Sequence, residues 1–148
     1  MKILVSWSSG KDSAWMLHML RTANAPVGGL LTSVEDRLAG SGLEPMFPLW
    51  GRNTRDLSRE MLQAGVDARI TCVDQRLLAK EFAGRRYDAE LCAELPPGTD
   101  PCGERGEFHT CVLDGPMFGS RIDAEPGEIV VRGDFVFADL KISGGRAG

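Results

Sequence analysis

The chain has 148 residues, 43% hydrophobic and 26% charged, which is the size and balance of one soluble globular domain with room for a core. No stretch approaches the roughly 18 consecutive apolar residues a membrane span requires, and Met1–Val5 is too short for a signal peptide's apolar region, so a cytoplasmic setting is the default expectation. A net charge of −4 offers no basic field to draw nucleic acid, and Arg52–Arg55 and Arg85-Arg86 read as solvated faces.

In chain order, Lys2–Ser6 is a short apolar, β-branched run suited to a buried parallel strand. Asp12 or Ser13 can cap a helix through Arg21 or Thr22, with Met16, Met19, Leu20 and Ala23 on one face and Asn24-Ala25-Pro26 closing it. Val27–Val34 reads as a second buried strand, which completes a right-handed βαβ unit. Glu35–Pro48 has no period and reads as a loop or linker. Asn53 or Thr54 caps a helix through Ala64, with Leu57, Met61 and Ala64 on one face and Gly65 just beyond. Ala68–Val73 is a third strand candidate, free to pair beside Val27–Val34. Leu77–Leu95 reads as helix in two pieces broken at Gly84 and stopped by Pro96-Pro97-Gly98.

A period of two follows. Phe108–Leu113, Arg121–Ala124, Ile129–Arg132 and Phe135–Ile142, with turns at Pro126-Gly127 and Gly133-Asp134, predict a small antiparallel layer appended to the rest. The tail from Ser143 to Gly148 has nothing to bury and is expected to be disordered. The cysteines, Cys72, Cys92, Cys102 and Cys111, form no CxxC pair. Thiols in a reducing compartment are the better reading, with Cys102, His109 and Cys111 as a weaker metal-ligand set.

The chemistry concentrates where the first strand meets the first helix. A helix N-terminus presents unpaired N–H groups and about half a positive charge, so anions settle there. In Ser8-Ser9-Gly10-Lys11-Asp12-Ser13, Gly10 lets backbone approach a ligand, the serines add hydroxyls and Lys11 adds charge, together a concave nest for phosphate oxygens. A Walker A loop is excluded, because Val5 stands where its first glycine belongs and Asp12 where its Ser or Thr belongs. Lys11 on phosphate with Asp12 near a metal suits a nucleotide held along its pyrophosphate; a Gly/Ser turn leading into a capped helix is the plain alternative.

Ser8–Ser13 resembles the SGGKDS loop of the N-type ATP pyrophosphatases, with Ser9 in place of the glycine at the motif's second position. "PLWGR" (Pro48–Arg52), "DPCGERGEFHT" (Asp100–Thr110) and "LDGPMF" (Leu113–Phe118) resemble the diphthine–ammonia ligase family, over Met1 to about Val34 and Leu43 to about Ile142. The resemblance implies a three-layer parallel sheet of the adenine nucleotide alpha hydrolase-like type, here shortened, with a small C-terminal α+β part containing antiparallel strands. It implies a nucleotide-binding portion over 1–42, a substrate-binding portion over 43–142 and a flexible tail over 143–148. It implies further that ATP adenylates a carboxylate, pyrophosphate leaves and ammonia displaces AMP; the family's substrate is the diphthine side chain of a translation elongation factor. Ser6, Ser8, Ser9, Gly10, Lys11, Asp12 and Ser13 would hold the nucleotide, Lys11 and Asp12 would act in catalysis, and Asp12 would meet Mg²⁺. The partners implied are ATP, a carboxylate acceptor (small molecule or protein side chain), ammonium and, as an assembly option, a second copy in a homodimer; nucleic acid and membrane are not among them.

Family members have a long segment between the second strand and the PLWGR block, whereas here only Glu35 to about Gly42 intervenes. The difference is on the order of two βαβ units of ~30 residues each. That gap keeps a second reading open, a nucleotide-binding module without turnover. Beyond the nest, Asp100, Glu104 and Glu107 are carboxylates on a loop that Gly103 and Gly106 allow to curl, beside Cys102, His109 and Thr110. Such a loop binds a cationic part of a substrate, coordinates Mg²⁺ or accepts a proton from ammonium; otherwise its carboxylates cap backbone N–H groups. A trimethylammonium group would suit it, with Trp50 or Phe108 nearby. Gly51 and Arg52 complete the substrate-side set, Arg52 as a carboxylate or phosphate partner or a surface arginine. His18 reads as structural, and Trp7 and Trp15 as core.

Overall fold

The computed structural model describes residues 3–31 and 48–143. The expected linker up to residue 47, the end of the expected second strand at 32–34, Lys2 and the tail 144–148 lie outside the described residues.

β1 (Ile3–Ser6) passes through a tight turn into α1 (Lys11–Thr22), and the chain returns as β2 (Val27–Leu31) parallel to β1, with Val5 opposite Leu30. The expected βαβ unit is present. Its burial is not as expected: Val5 is 1% exposed but Leu30 is 45% exposed, because β2 pairs with β1 alone among the described residues. α1 starts one residue before the expected caps. Gly10 takes the N-cap position with no side chain to offer, while the Ser13 hydroxyl donates back to the Gly10 carbonyl at 3.0 Å. The buried face is Ala14, Trp15, Leu17 and Leu20, rotated from the expected stripe, with Met16 and Met19 half-buried and Ala23 exposed. The rotation has a cause: Leu17 and Leu20 pack with Val5, while Ala14 and Trp15 enter the main core. Asn24, at φ +53, ends the helix in the left-handed conformation its short amide side chain tolerates.

α2 (Thr54–Gln63) is capped as expected, the Asn53 side chain accepting from the amides of Arg55 and Asp56 at 3.0 and 3.2 Å. It buries Leu57, Ser58 and Met61, leaves Ala64 exposed, and ends before Gly65 at φ +88.

The larger sheet is antiparallel throughout and centred on β3 (Asp67–Asp74). β5 (Phe108–Asp114) runs along one edge of β3. The other edge is shared by β4 (Arg86–Tyr87), opposite Ala68 and Arg69, and β7 (Phe135–Ile142), opposite Cys72–Asp74; β6 (Ala124–Arg132) extends the sheet from β7. β3 therefore does not pair beside β2, and the strands expected as an appended layer form the principal sheet with it. The α/β class stands, with parallel pairing confined among the described residues to β1 and β2.

Two further expectations are corrected. The helix expected over Leu77–Leu95 is a single 3₁₀ turn at Lys80–Phe82, then Gly84 at φ +81, then β4, then the short α3 (Ala89–Glu94) capped by Asp88. Tyr87 dictates this: fully buried, it is better served by a ladder position beside Ala68 than by a helix turn facing water. The two strands expected either side of Pro126-Gly127 are one strand with a register shift between Pro126 and Ile129, and Arg121–Asp123 precede it. Proline lacks the N–H that a regular ladder needs, so the strand bulges there. The Gly133-Asp134 turn between β6 and β7 is as expected. The main core joins Trp15, Leu57, Met61, Ile70, Tyr87, Val112 and Val136.

Candidate active site

The turn after β1 is seated on β5. Ser9 sits at φ +62, and its carbonyl accepts from the Val112 amide at 2.8 Å. The Lys11 amide donates to the Thr110 hydroxyl at 3.1 Å, and a Cβ on Gly10 would lie 3.3 Å from the Thr110 carbonyl. The turn also closes on itself: the Ser8 and Ser13 hydroxyls are 3.2 Å apart, the Ser8 amide donates to Ser13 Oγ at 3.3 Å, and the Gly10 amide donates to Ser8 Oγ at 3.4 Å. Among the described residues, the first-turn amides of Asp12 and Ser13 meet no acceptor, the open helix end an anion would use. Ser6 ends β1 just before this turn.

Lys11 does not project from the cradle. Its side chain is 2% exposed, and the ammonium donates to the Cys102 carbonyl at 2.5 Å and to Asp12 Oδ2 at 2.7 Å. The same nitrogen lies 5.4 Å from the centre of the Tyr87 ring and 5.7 Å from that of Phe108, so two aromatic faces share the charge. Asp12 is held by one oxygen only; its Oδ1 is buried with no hydrogen-bond partner among the described residues. A buried carboxylate oxygen without a donor suits a cation, and Mg²⁺ bound beside phosphates ordinarily takes one or two protein carboxylates. Among the described residues no three His, Cys, Asp or Glu side chains converge as a metal cage.

The acidic loop curls as its glycines allow, Gly103 at φ +72 and Gly106 at φ +83. A Cβ on Gly103 would lie 2.8 Å from the Phe108 carbonyl, too close for any other residue. Glu107 points inward and is 3% exposed, its two oxygens accepting from the amides of Asp100 and Arg105 at 2.9 and 3.0 Å. Asp100 accepts from the Thr54 hydroxyl at 2.9 Å and the Cys102 amide at 2.7 Å. These two carboxylates therefore brace the loop. Glu104 remains exposed, and its pKa is raised, first by partial burial and then by the neighbouring Asp12 charge.

Other sequence-predicted residues fall further out. Arg52 pairs with Glu60 of α2 and rests near the Met19 sulfur at 3.8 Å; Gly51 sits in an open turn at φ +76 and Trp50 is 86% exposed. His109 alternates with Thr110 along β5 and is exposed, whereas Thr110 contacts the cradle. Cys102 is buried with its thiol against the Thr54 carbonyl at 3.3 Å, and burial pushes its pKa up to about 12. The Cys102, His109, Cys111 set is not brought together, since the Cys102 thiol is buried against α2 while His109 is exposed on β5, and no three such side chains converge among the described residues. Phe108, expected beside a substrate ammonium, faces Lys11 instead.

Sequence reasoning missed Tyr87, Ser58 and Thr54. The Tyr87 hydroxyl lies 2.7 Å from the Pro101 carbonyl and 2.8 Å from the Ser58 hydroxyl, and its ring forms part of the Lys11 pocket. Its being the chain's single tyrosine was the available signal.

Fold and site together describe an α/β protein whose first helix presents open N-terminal amides and is tied through Lys11 to an acidic loop. The family model for the diphthamide synthase C-terminal domain matches residues 53–143, and the chain belongs to that family. It is 32% identical over 126 residues to the diphthine–ammonia ligase of Homo sapiens, covering 77% of this chain and 46% of that protein. The Rattus norvegicus diphthine–ammonia ligase is 30% identical over 135 residues, covering 80% and 49%. That of Schizosaccharomyces pombe is 30% identical over 115 residues, covering 75% and 19%. The chain spans about half the length of the mammalian relatives it matches. Among the described residues, no helix is long and apolar enough to cross a membrane.

Proposed function

We propose that the chain carries an ATP-dependent, AMP-forming ligase activity that joins ammonia to a carboxylate, with diphthine, for which the relatives are named, as the first acceptor to test. One observation carries the reading: the cradle and the acidic loop are a single assembly, stapled by Lys11 on the Cys102 carbonyl and by Thr110 on the Lys11 amide. In this reading the open amides of α1 and the Ser8 and Ser9 hydroxyls receive the β- and γ-phosphates. The acceptor carboxylate attacks the α-phosphorus and pyrophosphate departs. Ammonia then attacks the acyl carbon of the mixed anhydride, and AMP leaves with the bond electrons. Lys11 sits behind the cradle floor, where a buried cation acts through low-dielectric protein and favours the pyrophosphate anion while holding Asp12 and the loop in register. Glu104, a stronger base than an ordinary carboxylate, takes the proton released as ammonia adds. Magnesium, when bound, would screen phosphate charge, with Asp12 as its protein ligand.

The finer expectations belong to the same proposal. β1–α1–β2 is the start of a parallel sheet of the adenine nucleotide alpha hydrolase-like type, with 1–42 as the nucleotide portion and 43–142 as the substrate portion. The central units are shortened, the assembly is a homodimer and the setting is cytoplasmic. The test supplies ATP, Mg²⁺, ammonium and a diphthine-bearing acceptor and follows products. AMP with pyrophosphate supports the ligase, and ADP with phosphate overturns it. ATP binding without any product would favour the nucleotide-binding module. An intact mass of 16.1 kDa would establish the shortened centre.

A further inference from the structure

β6 closes the larger sheet on one side, paired with β7 and, among the described residues, with no strand on its other flank. Its regular stretch is short. The register shift between Pro126 and Ile129 interrupts it at one end, and Gly133, at φ +59, turns the chain at the other. What remains is Glu128-Ile129-Val130-Val131-Arg132, an acid, three β-branched residues and a base.

Two features of this segment point to a partner. Ile129 lies opposite Ala138 of β7 and Val131 opposite Val136. Those two β7 residues are 6% and 1% exposed, whereas Ile129 and Val131 are 61% and 58% exposed. The side of the sheet that faces the core therefore runs one strand past its cover, with apolar side chains still on it. The ends of the segment carry opposite charge, and both Glu128 and Arg132 are exposed.

The order of residues selects the partner. Antiparallel pairing of the segment with itself, about a two-fold axis at Val130, sets Glu128 opposite the second copy's Arg132 and Ile129 opposite its Val131. Val130 meets its own counterpart, and the same pairs then repeat in reverse. Parallel pairing would set Glu128 on Glu128 and Arg132 on Arg132, and a slip by two residues would take both charges off their partners. A two-fold contact uses up the free flank of each copy, so the assembly stops at two.

We propose that β6 pairs with β6 of a second copy of this chain, antiparallel about Val130, to give a closed dimer with one sheet running through both. The inference supplies the interface for the homodimer included in the function proposed above, and it makes no use of the ligase chemistry that the product assay tests. A contact this short predicts a weak dimer that dissociates on dilution. Analytical ultracentrifugation from micromolar to millimolar protein should show the mass rise from 16.1 kDa toward twice that value. Glu128→Arg and, separately, Arg132→Glu, each checked for folding by circular dichroism, should weaken the dimer about tenfold by setting like charges opposite each other. The double exchange, Glu128→Arg with Arg132→Glu, should restore it, which a general change of surface charge would not do. Amides of residues 128–132 should gain protection from exchange as concentration rises. A monomer at every concentration overturns the interface and the homodimer together. A dimer indifferent to all three variants overturns the interface and leaves the homodimer standing, and loss without rescue in the double exchange overturns the register. Protection of 128–132 that is already complete in the monomer means that the chain covers this flank itself, and it too overturns the proposal.

Discussion

β1–α1–β2 and the sheet centred on β3 are both built from strands with helical cover, yet they are held by different means. The sheet rests on a continuous core from Leu57 to Ala138, with Tyr87, Ile70 and Leu91 fully buried. The parallel pair buries Val5, Leu17 and Leu20 among themselves and leaves Leu30 in water. What fixes the smaller unit is α1, which lends Ala14 and Trp15 to the larger core and hangs Lys11 on the acidic loop. The candidate site lies on this seam, so its geometry is only as firm as the docking of one helix.

Breaking the seam should have the largest effect. Trp15→Ala removes the main anchor and is expected to cost about 3–5 kcal/mol in chemical denaturation, with amide exchange rising across 3–31 more than across the sheet. Next comes Lys11→Met, which leaves the Cys102 carbonyl and Asp12 without their donor. About 2–3 kcal/mol should be lost, with Lys11→Arg failing to restore it because a guanidinium does not fit between the Tyr87 and Phe108 rings. Ser9→Gly should instead tighten the seam. At φ +62 a glycine relieves backbone strain, and a gain of about 0.5 kcal/mol in thermal unfolding is expected after the flexibility it adds to the unfolded chain. Leu30→Lys, on the exposed side of β2, should change stability by less than about 0.5 kcal/mol.

The gentlest probe is pH, read by carboxyl NMR. The Asp74 carboxyl is lowered by its hydrogen bonds from Arg76, and that of Glu94 by Arg85, so each stabilises the fold above the ordinary carboxylate range and loses that contribution as pH falls through its depressed value. Glu104 is raised, so the folded state holds its proton more tightly and the favourable contribution fades as pH rises through its elevated value. Midpoints below the ordinary range on β3 and α3 and above it at the seam would confirm that the two regions differ electrostatically as well as in packing.

Local patterns were legible where one segment's own chemistry decides. Asn53 before an amphipathic stretch marked α2, Gly133-Asp134 marked the last hairpin, and Gly103 and Gly106 marked a curled loop. Elements that depend on distant partners were not. β4 is two residues long and exists because Ala68 and Arg69 accept it; nothing within Leu77–Leu95 announces that. The face of α1 was misjudged because two different surfaces claim it. At the site, the cradle residues and the loop could be named from sequence, but not the inward turn of Lys11. That turn depends on a carbonyl 91 residues away and on two aromatic rings from separate strands.

The bulge at Pro126–Ile129 has a consequence for how the molecule behaves in company. β6 ends the sheet with one flank unpaired among the described residues, and Ile129 and Val131 on it are 61% and 58% exposed. A straight, greasy border of that kind invites edge-to-edge stacking into fibrils. Pro126 withholds a donor and the kink spoils the register, so a neighbouring molecule finds only the short stretch from Ile129 to Arg132 to zip against.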